Sequence, residues 1–244
     1  GLRFLLDDMS LTVNGKTYES DKVTAAIQAG NDSLDKEASG YAPGDKEELT
    51  EGEMNAIFEH AQEKGIGIIP LFNAPGHMGT VIKAMAELGL GTNGKQVGTA
   101  TGSCPNYAID PTNETAVYFT KALMEKYVAY FAGKGCTMFN IGADESGISA
   151  DNYEAYAKLV NSHAAIVQNA GMVAMAFNDG IYDPAHTSAL NGVEFDANIL
   201  ISYWTYSNYA TAEALVNKGF QINSTHNNWY YVLGVNNSNW AGYN

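Results

Sequence analysis

Two adjacent carboxylates, Asp144 and Glu145, close the run Met138-Phe139-Asn140-Ile141-Gly142-Ala143. That run reads as a buried strand, and an ionised carboxylate at its mouth loses hydration, so it persists only if paired, hydrogen-bonded or used in chemistry. Acid chemistry delivered into a cleft is the functional reading. The structural alternative is a helix N-cap, with Asp144 followed by Ser146 and Asp151. The same design recurs along the chain. Leu2 to Leu6 ends in Asp7-Asp8, Ile66 to Phe72 is followed by Asn73-Ala74-Pro75-Gly76-His77, and Met172 to Phe177 ends in Asn178-Asp179. Ile199 to Tyr203 ends in Trp204, and Phe220 to Asn223 precedes the segment that holds Trp229, Tyr230 and Tyr231. His77 is either a partner of one of these acids or a histidine at a helix start.

Helices must carry these strand ends. Thr50-Glu51-Gly52-Glu53 is a capping box, and Met54, Ile57, Phe58 and Ala61 follow at i, i+3, i+4 and i+7, which predicts a helix with one buried face. Further helices are expected around Val81 to Leu88, from about Asn113 to Gly133, from an Asp151-Asn152-Tyr153-Glu154 capping box to about Gln168, and from about Thr211 to Lys218. The polar stretch from Ser10 to Asp45 is expected to be largely irregular. Alternating helices and nearly continuous apolar strands argue for a parallel sheet covered by helices. An open doubly wound sheet and an eight-stranded barrel both put their sites at the carboxyl ends of strands. No Gly-x-Gly-x-x-Gly follows a strand, which weakens a dinucleotide fold.

The 244 residues, 45% hydrophobic, suffice for one domain with a substantial core. A net charge of −14 repels phosphate backbones and anionic membrane surfaces, so nucleic acid is excluded as a partner. Cys104 and Cys136 have no CxxC partner or metal-ligand spacing, and no metal or cofactor is expected. No apolar run approaches the roughly 20 residues of a membrane span, and residues 1–4 lack the features of a signal peptide.

With these residues together, the chain resembles the family 20 glycoside hydrolases, the β-N-acetylhexosaminidases. Gly142-Ala143-Asp144-Glu145 is similar to their catalytic Gly-x-Asp-Glu, Leu6-Asp7-Asp8 to the Asp-Asp closing their second strand, and Pro75-Gly76-His77 to the motif closing their third. The Phe177-Asn178-Asp179 and Trp229-to-Gly234 segments are most like those of surface exo-β-N-acetylglucosaminidases of Gram-positive bacteria. The resemblance implies an α/β fold, a (β/α)8 TIM-type barrel of which this chain, as a single partial catalytic domain, holds about strands two to seven. The arginine of the family's first strand and the tryptophan of its eighth fall outside that span, and Phe177-Asn178-Asp179 stands where members often have Trp-Asp-Glu.

The implied reaction is removal of a terminal β-linked N-acetylhexosamine by substrate-assisted retaining hydrolysis, in which the substrate's own acetamido oxygen is the nucleophile. Asp144 would accept the acetamido N–H, and Glu145 would protonate the leaving oxygen and then act as base toward water. Asp7, Asp8, His77, Asp179, Trp204, Trp229 and Tyr230 would bind the sugar, Trp204 as a wall of the acetamido pocket and Tyr230 as donor to its carbonyl, with Tyr231 an equally spaced rival. The partner is then a glycan with a terminal N-acetylhexosamine, no cofactor is involved, and the location is extracellular or at a bacterial cell surface. Release of a disaccharide, as by a lacto-N-biosidase, and sugar binding without turnover are the alternatives.

Overall fold

The computed structural model of the chain describes residues 2–37, 48–97, 106–205 and 208–226. The first extended segment forms a single parallel bridge, Phe4 to Leu49, in place of a full strand. It leads into a hairpin of β1 (Leu11–Val13) and β2 (Lys16–Tyr18), turned by Asn14 and Gly15, both at positive φ as such tight turns require.

The helix α1 (Ser20–Glu37) then occupies much of the stretch expected to be irregular. Its polar composition hides a stripe of Val23, Ala26, Ile27, Gly30, Asn31 and Leu34, spaced for one helical face. Gly30 and Asn31 are poor helix formers, but both serve the packing against α3 (Gly79–Glu87). A Cβ at residue 30 would lie 2.5 Å from the Thr80 carbonyl oxygen, and the Asn31 side chain accepts from Thr80 Oγ1 at 2.8 Å.

Thr50 caps α2 (Glu51–Glu63) with the predicted reciprocal box. The predicted buried face is not realised: no residue of α2 is buried, and Ile57 is 43% exposed. The helix packs through Phe58 against Phe131, their rings 5.9 Å apart, but a cleft of about 300 Å3 lined by Phe4, Met54, Phe72 and Phe131 leaves its apolar stripe only partly covered. The following strand, β3 (Leu71–Ala74), begins later than the apolar run suggests. Pro70 has no N–H to give, and its carbonyl accepts from Asn140 N at 2.9 Å.

Beyond α3, β4 (Gly94–Val97) pairs antiparallel with β5 (Asn106–Ile109). Asn113 caps α4 (Glu114–Gly133) through Ala116 N, as its position predicts. Next come β6 (Met138–Gly142), α5 (Tyr153–Asn169), β7 (Val173–Phe177), β8 (Leu200–Tyr203), α6 (Ala212–Asn217) and β9 (Gln221–Ser224). Asp151 does not cap α5. Residues Ala150–Asn152 close a 3-10 turn instead, and α5 starts from Asn152 with no side-chain cap.

The principal sheet has five strands in the order β3-β6-β7-β8-β9, every neighbouring pair parallel. Phe139 lies opposite Ala174, and Ile201 opposite both Ala176 and Ile222. Phe119, Leu123, Met124 and Tyr127 of α4 and Tyr156, Leu159 and Val160 of α5 bury their side chains in one core with these strands. Each such apolar side chain contributes about 1.5–3 kcal/mol of transfer free energy. Because the strands run the same way, their carboxyl ends meet at one edge. No helix among the described residues is long and apolar enough to cross a membrane.

Candidate active site

At the end of β6 the chain turns sharply. Gly142, Ala143 and Glu145 all have positive φ, a conformation that costs a side-chain-bearing residue about 1 kcal/mol or more. Gly142 is obligatory here, because a Cβ would collide with Asn73 at the end of β3. The Asn140 side chain accepts from Gly142 N at 2.8 Å, and Ala143 N donates to the Ala74 carbonyl at 3.0 Å. Strain held by such bonds presents Asp144 half-buried and Glu145 exposed at the sheet edge.

The β3 loop meets this turn directly. The Ala74–Pro75 peptide is cis, and Gly76 leaves no room for a Cβ against the Asp144 carbonyl oxygen. His77 Nε2 lies 3.4 Å from Asp144 Oδ2 and 3.4 Å from Glu145 Oε2. The bond to Asp144, then that to Glu145, outweighs burial and pushes the imidazole up to about 9, so His77 is a cation at neutral pH. The same contact with His77 lowers the Glu145 carboxyl despite its partial burial. Asn73 Nδ2 reaches Asp144 Oδ2 at 3.5 Å.

Three residues from other strands hold this arrangement. Asn106 of β5 accepts from His77 N at 3.0 Å and donates to the Glu145 carbonyl at 2.9 Å, tying the two loops together. Asn178, fully buried after β7, accepts from Trp204 N at 2.8 Å and donates to the Thr205 carbonyl at 2.6 Å. Asp179 is only 4% exposed; one oxygen accepts from Glu145 N at 2.6 Å and the other from Trp204 Nε1 at 3.0 Å. Burial, followed by the charge of Asp144, pushes the Asp179 carboxyl up to about 7.

The structure therefore brings His77, Asp144, Glu145, Asp179 and Trp204 into one connected site. Asp7 and Asp8 bond elsewhere: Asp7 N donates to Glu51 at 3.0 Å, and the Asp8 carboxylate, 68% exposed, pairs with Lys126 Nζ at 2.9 Å. Lys126 holds the Asp8 carboxyl well below the usual carboxylate range. Trp229 and Tyr230 lie outside the described residues. Asn106 carries no strand-end carboxylate signal and sequence reading passes over it, whereas Asn178 is read only as part of the Phe177-Asn178-Asp179 strand end, with no role of its own. Among the described residues, His77, Asp144 and Glu145 offer three ligand atoms within 4.8 Å of one another, a set that a metal ion could use. A cationic His77 opposes that use, because binding a metal would first require its proton to leave.

A parallel α/β sheet whose carboxyl edge carries an acid pair bridged by a histidine is an arrangement suited to acid–base chemistry. The chain belongs to glycosyl hydrolase family 20: the model of that family's catalytic domain matches residues 10–243. It is similar to the tandem catalytic modules of the pneumococcal exo-β-D-N-acetylglucosaminidase StrH, at 37% identity and a TM-score of 0.81, over 96% of this chain and 57% of that one. A lacto-N-biosidase of Bifidobacterium bifidum is 27% identical over 71% of this chain and 16% of its own length. Dispersin B shares the fold, at 21% identity and a TM-score of 0.60, over 81% of this chain and 61% of that one. The chain thus spans little more than half of the StrH structure and a small part of the lacto-N-biosidase.

Proposed function

We propose that this chain carries the acid–base machinery of a β-N-acetylhexosaminidase that removes a terminal β-linked N-acetylhexosamine from a glycan by substrate-assisted, retaining hydrolysis. The observation that carries the reading is the Asp144–Glu145 pair on a strained turn, fixed by His77, Asn106 and Asp179. Asp144 accepts the acetamido N–H and holds the acetamido oxygen under the anomeric carbon; as that oxygen attacks, the developing oxazolinium charge is stabilised beside the carboxylate. Glu145 gives its proton to the departing oxygen and then takes one from the water that opens the ring. In the resting site Glu145 is the ionised partner of His77, and a bound sugar that excludes water around Glu145 favours its protonated form.

Asp179 positions the acid through its main-chain N–H and the Trp204 wall through its indole. Asp7 and Asp8, exposed after the first extended segment, are sugar contacts in this proposal, together with Trp229 and Tyr230. Asp8 would share its carboxylate with Lys126, whereas the Asp7 carboxylate has no ion-pair partner among the described residues. The described strands form part of an eight-stranded barrel, residues 1–244 form one partial catalytic domain, and the setting is the outside of a bacterial cell; likeness to family 20 relatives supports all three.

Release of chromophore from 4-nitrophenyl N-acetyl-β-glucosaminide tests the reading, with Asp144→Ala as control, since the placing of the acetamido nucleophile is needed whatever the leaving group. Absence of turnover both by this chain and by a span extended at both ends would leave a sugar-binding protein without catalysis. The likeness to lacto-N-biosidase favours a second reading, release of a disaccharide, which 4-nitrophenyl lacto-N-bioside distinguishes.

A further inference from the structure

The first two turns of α5 set a pair of tyrosines against the loops that carry the acids. Tyr153 and Tyr156 stand three positions apart, so they share one helix face, and their rings stack with centroids 5.6 Å apart and planes at 19°. Both are buried, and the Phe195 ring packs edge-on against each at 6.0 Å. Phenylalanine would fill the same space. The hydroxyls are what packing does not require, and a buried O–H must be given a partner. We propose that this pair positions the acids: Tyr156 holds the turn that presents Asp144 and Glu145, and Tyr153 holds the loop that follows Asp179. The inference rests on the glycosidase reading above and deepens it by assigning two positioning residues behind the acids.

Tyr156 Oη donates to the Ala143 carbonyl at 3.3 Å. Burial, above all, pushes its phenol well above the ordinary range, against a hydrogen bond from the Ser146 side chain, so the hydroxyl keeps its proton. As donor and acceptor at once, it spans the turn from the residue before Asp144 to the residue after Glu145. The turn needs such a hold, because Ala143 and Glu145 sit at positive φ, and strain of that kind persists only where the surroundings over-determine it. Gly180 marks how closely the hydroxyl is enclosed. A Cβ there would collide with Tyr156 Oη and lie 3.1 Å from the Ala143 carbonyl oxygen.

Tyr153 works on the neighbouring loop. Its hydroxyl donates to the Gly180 carbonyl at 3.0 Å and accepts from Asp183 N at 2.8 Å, which ties residues 180–183 to α5. Gly180 follows Asp179 directly, so this bond fixes the main chain beside the carboxylate that accepts from Glu145 N at 2.6 Å. Both phenols therefore act on Glu145 from behind, Tyr156 through the turn itself and Tyr153 through Asp179.

Tyr156→Phe and Tyr153→Phe each remove one oxygen and keep the stacked ring. With 4-nitrophenyl N-acetyl-β-glucosaminide, assayed well below the unfolding midpoint of each variant, kcat should fall about tenfold, the scale of one lost hydrogen bond, while KM stays within about twofold of wild type. Tyr156→Phe should also weaken inhibition by a thiazoline mimic of the cyclised intermediate about tenfold, because that compound depends on the placing of Asp144 as the transition state does. A lowered unfolding midpoint with kcat and thiazoline affinity unchanged would reduce the hydroxyls to supports of the core and overturn the assignment, as would a raised KM at unchanged kcat. A wild type without turnover overturns the glycosidase reading itself.

Discussion

Replacing Asp179 by asparagine should lower activity while raising relative stability in alkaline solution. Both Asp179 oxygens accept, one from Glu145 N at 2.6 Å and one from Trp204 Nε1 at 3.0 Å. An asparagine has one acceptor oxygen, so one of these N–H groups would face an amide N–H2 in a buried place. Leaving a buried donor unsatisfied costs about 1–3 kcal/mol. If the transition state depends on the placement of Glu145 or Trp204, kcat/KM falls roughly 5- to 150-fold. Stability moves by a different rule. The Asp179 carboxyl is raised from 3.8 to about 7 in the fold, so its favourable, protonated form is fully present below the unfolded value and is lost as pH rises toward 7. Each unit in that window costs the wild type about 1.4 kcal/mol, an upper bound on the order of 4 kcal/mol across it. Asparagine carries no charge and escapes this cost. Urea unfolding at pH 5 and pH 8, beside kcat/KM on an aryl N-acetyl-β-glucosaminide, measures both effects. A variant that keeps wild-type kcat/KM, or whose stability difference from wild type is the same at both pH values, would refute the reasoning.

Further outcomes follow from the same geometry. His77→Gln removes the cation that lowers Glu145, so the alkaline limb of the kcat/KM profile should move to higher pH; a fixed limb would detach His77 from the acid. Glu145→Gln should lose about 100-fold or more on poor leaving groups and far less on nitrophenolate, since only the former need a proton. Equal losses on both would remove Glu145 as the acid. His163, buried in α5 and pushed down to about 3 by its burial, stays neutral in the fold while the unfolded chain protonates near 6.5. Stability present above pH 6.5 should therefore fall by about 1.4 kcal/mol per unit as pH drops toward 3, and His163→Leu should flatten that slope in urea titrations.

The parts of this protein legible from its sequence are those decided within a few residues. Thr50 and Glu53 cap α2 across three positions, Asn113 caps α4, and the apolar run before Asp144 makes its own strand. The parts that were not legible are decided between segments far apart. The helix α1 is hidden by Gly30 and Asn31, whose value lies in the approach of Thr80, and α2 reads as half-buried because nothing local reveals how little lies beneath it. The site shows the same division. A carboxylate at a strand end marks Asp144, Glu145 and Asp179 alike, yet their environments differ. Asp179 is buried because Trp204 reaches it from β8 and the main chain of Glu145 from β6, and that double contact makes it a support for the acid pair. Asn106 joins the site from 39 residues before Glu145, through a hairpin that no strand-end pattern announces. Carboxylates that do chemistry are visible because their chemistry needs their type; the amides that hold them are visible only in the fold, because any residue of suitable shape and hydrogen-bonding capacity could have served.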